Sequence, residues 1–189
     1  MNITIYGAAG NVGKRITSKA LARGHNVTAV VRTKAQLGRL PANVPPCAAD
    51  VSDQQQLIPT IEGQDLVISA LRPPEGREDV LATLTHSVLD GETVLSAPDF
   101  LPTSAVAIAR ACQAQYELCL GETRVDWTYL SPAGMLNPGD RTGRYRLGTD
   151  TLVVDESGVS RISMEDFAVA MLDEAEAPKH VRRAFTVGY

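Results

Sequence analysis

The sequence predicts an α/β fold: a doubly wound parallel sheet with helices on both faces. Three observations point there. The chain opens on a short apolar run, Ile3 and Ile5 with their neighbours, that stops at Gly7. Glycines recur at Gly10 and Gly13, and a helical apolar period follows at Val12, Ile16, Ala20 and Leu21. Further apolar, β-branched runs then alternate with helical segments down the chain, the pattern of strands joined by crossover helices.

Strand, glycine turn and helix in that order give the glycine spacing its meaning. Gly7 lets the chain leave the strand sharply. Gly10 lets backbone approach a pyrophosphate with no Cβ in the way, and Gly13 lets the helix pack close to the strand. The amides around Ala9, Asn11 and Val12 then offer a phosphate unpaired donors at the positive end of the helix dipole. The plainer alternative is a glycine-rich turn with no ligand.

The first helix should run to about Arg23, with Gly24 past its end and His25-Asn26 completing the turn. Val27 to Val31 reads as a buried second strand. Arg32 follows it, with Lys34 two residues on, and no acidic residue lies from Val27 to Gly38. An acid about 20 residues past the glycines would hold a ribose 2′-hydroxyl. A guanidinium there suits a 2′-phosphate instead, so NADP is expected, with NAD as the other cofactor the fold accepts. The alternative for Arg32 is a solvated basic turn. Cys47 to Val51 reads as a third strand. Asp50 and Val51 then either meet an adenine ring or, in the case of Asp50, only brace the turn. Ser52 or Asp53 caps a helix from about Gln54 to Ile61. Asp65 to Ala70 reads as the fourth strand, and Ala70 and Leu71 lie at its carboxyl end, where ligands of open α/β sheets bind.

Val80, Leu81, Leu84 and Val88 mark a helix ending near Gly91, and Thr93 to Leu95 a short strand. Thr103 opens a helix carrying Val106, Ile108, Cys112 and Tyr116. Val125 to Leu130 is a further strand, which puts Ser131 and Pro132 at its carboxyl end near a nicotinamide. A long Gly- and Arg-rich loop is expected from Gly134 to Gly148. Leu152 to Val154 suggests a short strand, and Glu156 to Gly158 a turn. Ser163 and Asp166 have the spacing of a capping box for a helix to about Ala175 that packs Phe167, Met171 and Leu172. Ala184 to Val187 closes the list of strands.

With 189 residues the chain fits one domain, residues 1–189, with substrate-side elements mainly in 131–189. The net charge of −4 gives no electrostatic reason to expect nucleic acid or an anionic membrane. No apolar run approaches the ~20 residues that cross a bilayer, and the chain begins on a core strand rather than a signal peptide. The three cysteines are odd in number, and they and the scattered His25, His86 and His180 lack metal-ligand spacing. A cytoplasmic protein with reduced thiols, no metal and a small-molecule substrate is the expectation. A homo-oligomer is compatible with it.

These pieces resemble the atypical short-chain dehydrogenase/reductase superfamily of NAD(P)-binding Rossmann proteins. The group it is most similar to comprises small proteins described as NADH-flavin reductases, akin to flavin/biliverdin reductases and NmrA-like proteins. The residues that carry the likeness are Gly7 to Gly13, Val31-Arg32, Asp50-Val51, Asp126 to Pro132, Gly139 to Gly148, Ser160 to Ser163 and Asp166 to Ala168. The resemblance covers nearly the whole chain and implies an NAD(P)H-dependent oxidoreductase.

Two departures from the pattern bear on the chemistry. The superfamily's usual catalytic pair is a Tyr with a Lys four residues later, but Leu120 follows Tyr116 at that spacing. The group also has a strand and a Gly-rich turn between positions 91 and 97, where this chain has only Glu92 to Ser96. No catalytic residue is therefore assigned. Ser96 and Tyr116 are candidates to polarise a carbonyl, each with a loop or packing role as its alternative. A flavin or quinone needs only stacking and alignment from the protein. Such an acceptor is expected between Ala70-Leu71 and the segment 131–148. Arg141, Arg144 and Arg146 either bind an anionic substrate or form a solvated basic loop. The rival classes are a non-catalytic dinucleotide sensor and an isomerase or dehydratase that retains its cofactor.

Overall fold

Strand β1 (Asn2–Tyr6) is buried on both faces, with Ile3, Thr4 and Ile5 all at 0% exposure, which marks it as a central strand. It pairs in parallel with β2 (Asn26–Val31) on one side and β4 (Leu66–Ser69) on the other, Ile5 lying beside both Ala29 and Ile68. Strand β3 (Pro46–Ala48) extends the sheet beyond β2, giving the order β3-β2-β1-β4. The computed structural model describes residues 1–71, 88–89, 92–93 and 103–189. They divide into two units, Met1–Arg72 and Pro73–Tyr189.

The strand order explains the two-sided winding. The crossover from β1 to β2 through α1 (Gly13–Ala22) runs one way across the sheet, and that from β3 to β4 through α2 (Gln54–Ile61) runs the other. Both crossovers take the usual right hand only if the two helices lie on opposite faces. Polar side chains on β1 mark the face of α2. Thr4 Oγ1 donates to the Thr60 carbonyl at 2.6 Å, and the Tyr6 hydroxyl meets Thr60 Oγ1 at 2.6 Å. Ile3 and Ile5 alternate onto the other face. Helix α1 stops as expected: Gly24 (φ 80°) donates to the Leu21 carbonyl and His25 to that of Ala20, the paired bonds of a Schellman end.

The second unit holds a hairpin of β5 (Val88–Leu89) with β6 (Glu92–Thr93), and α3 (Thr103–Gly121). Its three-stranded sheet has β11 (Arg183–Gly188) in the middle, parallel to β7 (Thr128–Ser131) and antiparallel to β9 (Arg146–Gly148). Strands β8 (Met135–Asn137) and β10 (Arg161–Ser163) form a separate parallel pair that leads into α4 (Met164–Glu176). Phe167, Leu172, Phe185 and Val187 are buried in this unit's core. Among the described residues no helix is long and apolar enough to cross a membrane.

Several expectations need correcting. The third strand ends at Ala48, so Asp50 and Val51 lie in the turn beyond it. Lys34–Arg39, to which the sequence reading gave no element, is a 3-10 helix. The loop expected over 134–148 contains β8 and β9, which leaves residues 138–145 as its open part. Leu152 and Val153 are buried but form no strand, because a short apolar run can be covered without pairing. Val125 lies outside β7 and is 58% exposed. Val88, expected in a helix, pairs with Thr93 instead. The rest of that helix, Ser96 and His86 fall outside the described residues.

Candidate functional site

In the first unit the sheet order reverses between β2-β1 and β4, and the glycine turn leaves β1 at that point. This is where an open α/β sheet leaves a crevice for a ligand. The three glycines differ in what holds them. Gly7 has φ 73°, and a Cβ there would lie 2.5 Å from the Ala70 carbonyl oxygen. A Cβ on Gly13 would lie 2.1 Å from the Gly7 carbonyl oxygen, so α1 can start this close to the turn only from a glycine. At Gly10 the nearest atom is the Gly7 oxygen at 3.1 Å, and the residue is exposed. Fold packing therefore demands Gly7 and Gly13. Gly10 instead keeps an outward surface bare of side chain, which suits the close approach of a phosphate.

The start of α1 fits the same ligand. Its N-cap is Val12, whose side chain makes no capping bond, and no acidic residue occupies the first turn. Asn11 and Gly10 are exposed, and Ala9 and Val12 half-buried. The Asn11 carbonyl accepts from Arg15 Nη1 at 2.7 Å. With no side-chain cap, the Lys14 and Arg15 amides bond only the Gly10 and Val12 carbonyls, at 3.0 and 2.9 Å, and no side chain screens the positive end of the helix.

Arg32 stands exposed one residue past β2. Asp50 lies near enough for its carboxylate to feel that charge. Hydrogen bonds from the Ser52 amide and hydroxyl, at 2.9 and 2.7 Å, dominate the shift that holds the Asp50 carboxyl below its ordinary value, and Arg32 adds to it. Asp50 thus braces its turn, one of the two roles expected of it. Asp53 rather than Ser52 caps α2, accepting from the Gln55 amide at 2.9 Å. Val51 and Leu71 pack against the cluster of Tyr6, Val30 and Ala49, so each leaves only part of its surface uncovered. Ala70, half-buried, donates its amide to the Tyr6 carbonyl at 3.0 Å and ties the end of β4 to the glycine turn.

Ser131 and Pro132 belong to the second unit. Ser131 is 5% exposed at the end of β7, beside Thr186 of β11, and Pro132 is half-buried. Tyr116 is a packing residue here: its ring lies 5.3 Å from that of Tyr129 and 6.4 Å from that of Trp127. Burial, with the Asp150 charge nearby, pushes its phenol above the ordinary value. Arg146 is committed to structure, donating to the carbonyls of Val154 and Tyr189, whereas Arg141 and Arg144 are exposed. Among the described residues no group of three or more His, Cys, Asp or Glu side chains is placed to hold a metal ion. His180 is tied to Glu174 at 2.8 Å and stacked on Phe185.

The residue that sequence reasoning missed is Asp166. It was expected to reciprocate the cap of α4. Ser163 Oγ does accept from the Asp166 amide at 3.0 Å, but the Asp166 carboxylate turns to the loop, taking bonds from Thr142 and Gly143. An aspartate is a methylene shorter than the glutamate usual at this position. Only the likeness of both segments to one family hinted that they meet.

The chain matches the NAD(P)H-binding family over residues 7–175. A Bacillus subtilis protein, the uncharacterized YwnB, is 32% identical over 99% of this chain and 98% of its own length. A Burkholderia pseudomallei structure called a "putative exported protein" is 33% identical with a TM-score of 0.86, covering 100% of both chains. A Bacteroides thetaiotaomicron structure called a "putative epimerase" is 32% identical with a TM-score of 0.88, covering 100% of this chain and 96% of that one.

Proposed function

The chain belongs to the NAD(P)H-binding family, and from that premise we propose that it is an NADPH-dependent oxidoreductase that reduces a flat acceptor, a flavin or a quinone. The observation that carries this reading is the contrast within the glycine turn, where Gly7 and Gly13 are packed against backbone and Gly10 is open outward. In it, Gly10 with the amides of Ala9, Asn11, Val12 and Gly13 holds the pyrophosphate, and Arg32 holds the 2′-phosphate. Asp50, Val51, Ala70 and Leu71 support the nucleotide from the neighbouring strand ends. Bound nicotinamide supplies a hydride, and the protein's part is alignment and exclusion of water. Such an acceptor needs no protein proton relay, in keeping with a chain whose Tyr116 lacks the Lys partner and is packed against Trp127.

The test follows NADPH absorbance with FMN and several quinones. Oxidation well above the free-solution rate, faster with NADPH than with NADH, is the expected result. A second reading, an isomerase or dehydratase that keeps its cofactor, draws on the epimerase name of the Bacteroides relative; it requires tight cofactor retention with no net NADPH consumption. Binding without turnover on any acceptor would identify a sensor. The proposal also has the protein acting in the cytoplasm on a small molecule. Cell fractionation tests this against the exported name of the Burkholderia relative.

A further inference from the structure

Asp166 is fully buried, and a carboxylate without solvent must find donors in the protein. Its donors come mostly from one loop. Oδ2 accepts from Thr142 Oγ1 at 2.5 Å and the Thr142 amide at 3.2 Å, and Oδ1 accepts from the Gly143 amide at 2.8 Å. The Tyr189 hydroxyl adds a bond to Oδ2 at 2.8 Å. Neighbours on the same helix start extend the hold: Glu165 accepts from the Gly139 amide at 2.9 Å, and Ser163 Oγ donates to the Asp140 carbonyl at 2.8 Å. Further along, the Tyr145 hydroxyl donates to Asp173, and Arg146 is anchored on Val154 and Tyr189.

The loop backbone is therefore pinned, the Arg144 amide included, which donates to Thr142 Oγ1 at 3.1 Å, while the side chains of Arg141 and Arg144 are not. Arg141 and Arg144 are exposed, and among the described residues neither guanidinium has a carboxylate partner. The backbone between them passes through Gly143 at φ 68°, a conformation fixed by the bond from its amide to Asp166. An eight-residue open segment held this firmly loses most of its freedom before any ligand arrives. That ordering lowers the entropic penalty for a ligand that engages its side chains.

We propose that Asp166 is a positioning residue that holds loop 138–145 in one conformation and so presents Arg141 and Arg144 to the anionic group of a phosphate-bearing acceptor. The acceptor part rests on the reductase reading above; the positioning part does not. Two arms keep them separate. The first measures amide hydrogen exchange at Thr142 and Gly143 in the wild type, Thr142→Val, Thr142→Ser and Asp166→Asn. Exchange should rise about tenfold in Thr142→Val and more in Asp166→Asn, with Thr142→Ser near wild type. Unchanged exchange in a folded Thr142→Val and a folded Asp166→Asn would overturn the positioning role.

The second arm compares FMN, which carries a phosphate, with riboflavin, which does not. The KM for FMN should rise about tenfold in Arg144→Ala and in Thr142→Val with kcat nearly unchanged, while the KM for riboflavin stays level. Equal KM values for FMN and riboflavin in the wild type and every variant would overturn the anion-recognition role while leaving the exchange result standing. A wild type that reduces neither flavin removes the reductase reading, and the exchange arm still decides what Asp166 does.

Discussion

A β-carbon at Gly13 would sit 2.1 Å from a backbone oxygen, but one at Gly10 would sit 3.1 Å away with open space beyond. The two substitutions should therefore fail in different ways. Gly13→Ala should destabilise the fold at the upper end of single-substitution effects, about 3 kcal/mol or more, read by urea denaturation. Gly10→Val asks the Gly7 oxygen to give by a few tenths of an ångström, a smaller demand than at Gly13, and should weaken NADPH at least about tenfold in a binding titration. Unchanged NADPH affinity in a folded Gly10→Val would remove the phosphate role of the turn. Arg32 is exposed beside the Asp50 charge, and in the proposed function it meets the 2′-phosphate. Arg32→Ala should lose a charge-assisted contact of about 1.5–3 kcal/mol with NADPH, roughly ten- to a hundredfold in affinity. NADH should be nearly unaffected, and a wild type that prefers NADH would contradict the reading. The glycine turn was legible in the sequence because spacing along one short segment defines its environment. The different demands on Gly10 and Gly13 were not, since they depend on which backbone atoms stand opposite.

Helix α2 is docked on the sheet through a buried polar chain from Tyr6 to Thr60 and on to the Leu57 carbonyl. Tyr6→Phe removes one hydrogen bond without leaving a polar atom stranded, because Thr60 Oγ1 keeps its bond to Leu57. It should lower stability by about 0.5–1.5 kcal/mol. Thr60→Val strands the Tyr6 hydroxyl and should lower it by about 1–3 kcal/mol, so the order of the two midpoints in urea checks the network. At α4, burial raises the Asp166 carboxyl, but bonds from Thr142, Gly143 and Tyr189 outweigh it and hold the folded-state value below 3.8. A depressed carboxyl contributes stability that is present above its unfolded value and lost as pH falls through the folded one. Asp166→Asn should thus be less stable than wild type at neutral pH, and the gap should narrow below about pH 4. A gap that stays constant through acid would show that the ionised form of Asp166 adds nothing. None of this element-level detail follows from helical periodicity, which places Asp166 on α4 but not its partners.

For the molecule as a whole, a cofactor that binds only the folded form must raise the melting temperature. NADPH at about a hundred times its Kd should add about 2.7 kcal/mol, and NADH at equal concentration less. Equal shifts would count against the 2′-phosphate role of Arg32. By itself the sequence determined the strand, glycine turn and helix at the N-terminus, the first four strands in order and the start of α2 to within Ser52 or Asp53. These are local features: each is written in a few neighbouring residues whose period, glycines or capping side chain act within a turn or two. Tertiary structure alone decided the short strands β8, β9 and β10, the uncovered stretch 138–145 and the buried seat of Asp166. A three-residue strand has too few positions to show an alternation, and its partner lies far along the chain, as Ile162 does from Leu136. A buried carboxylate takes whichever donors folding brings to it, and for Asp166 those donors lie 24 and 23 residues away at Thr142 and Gly143.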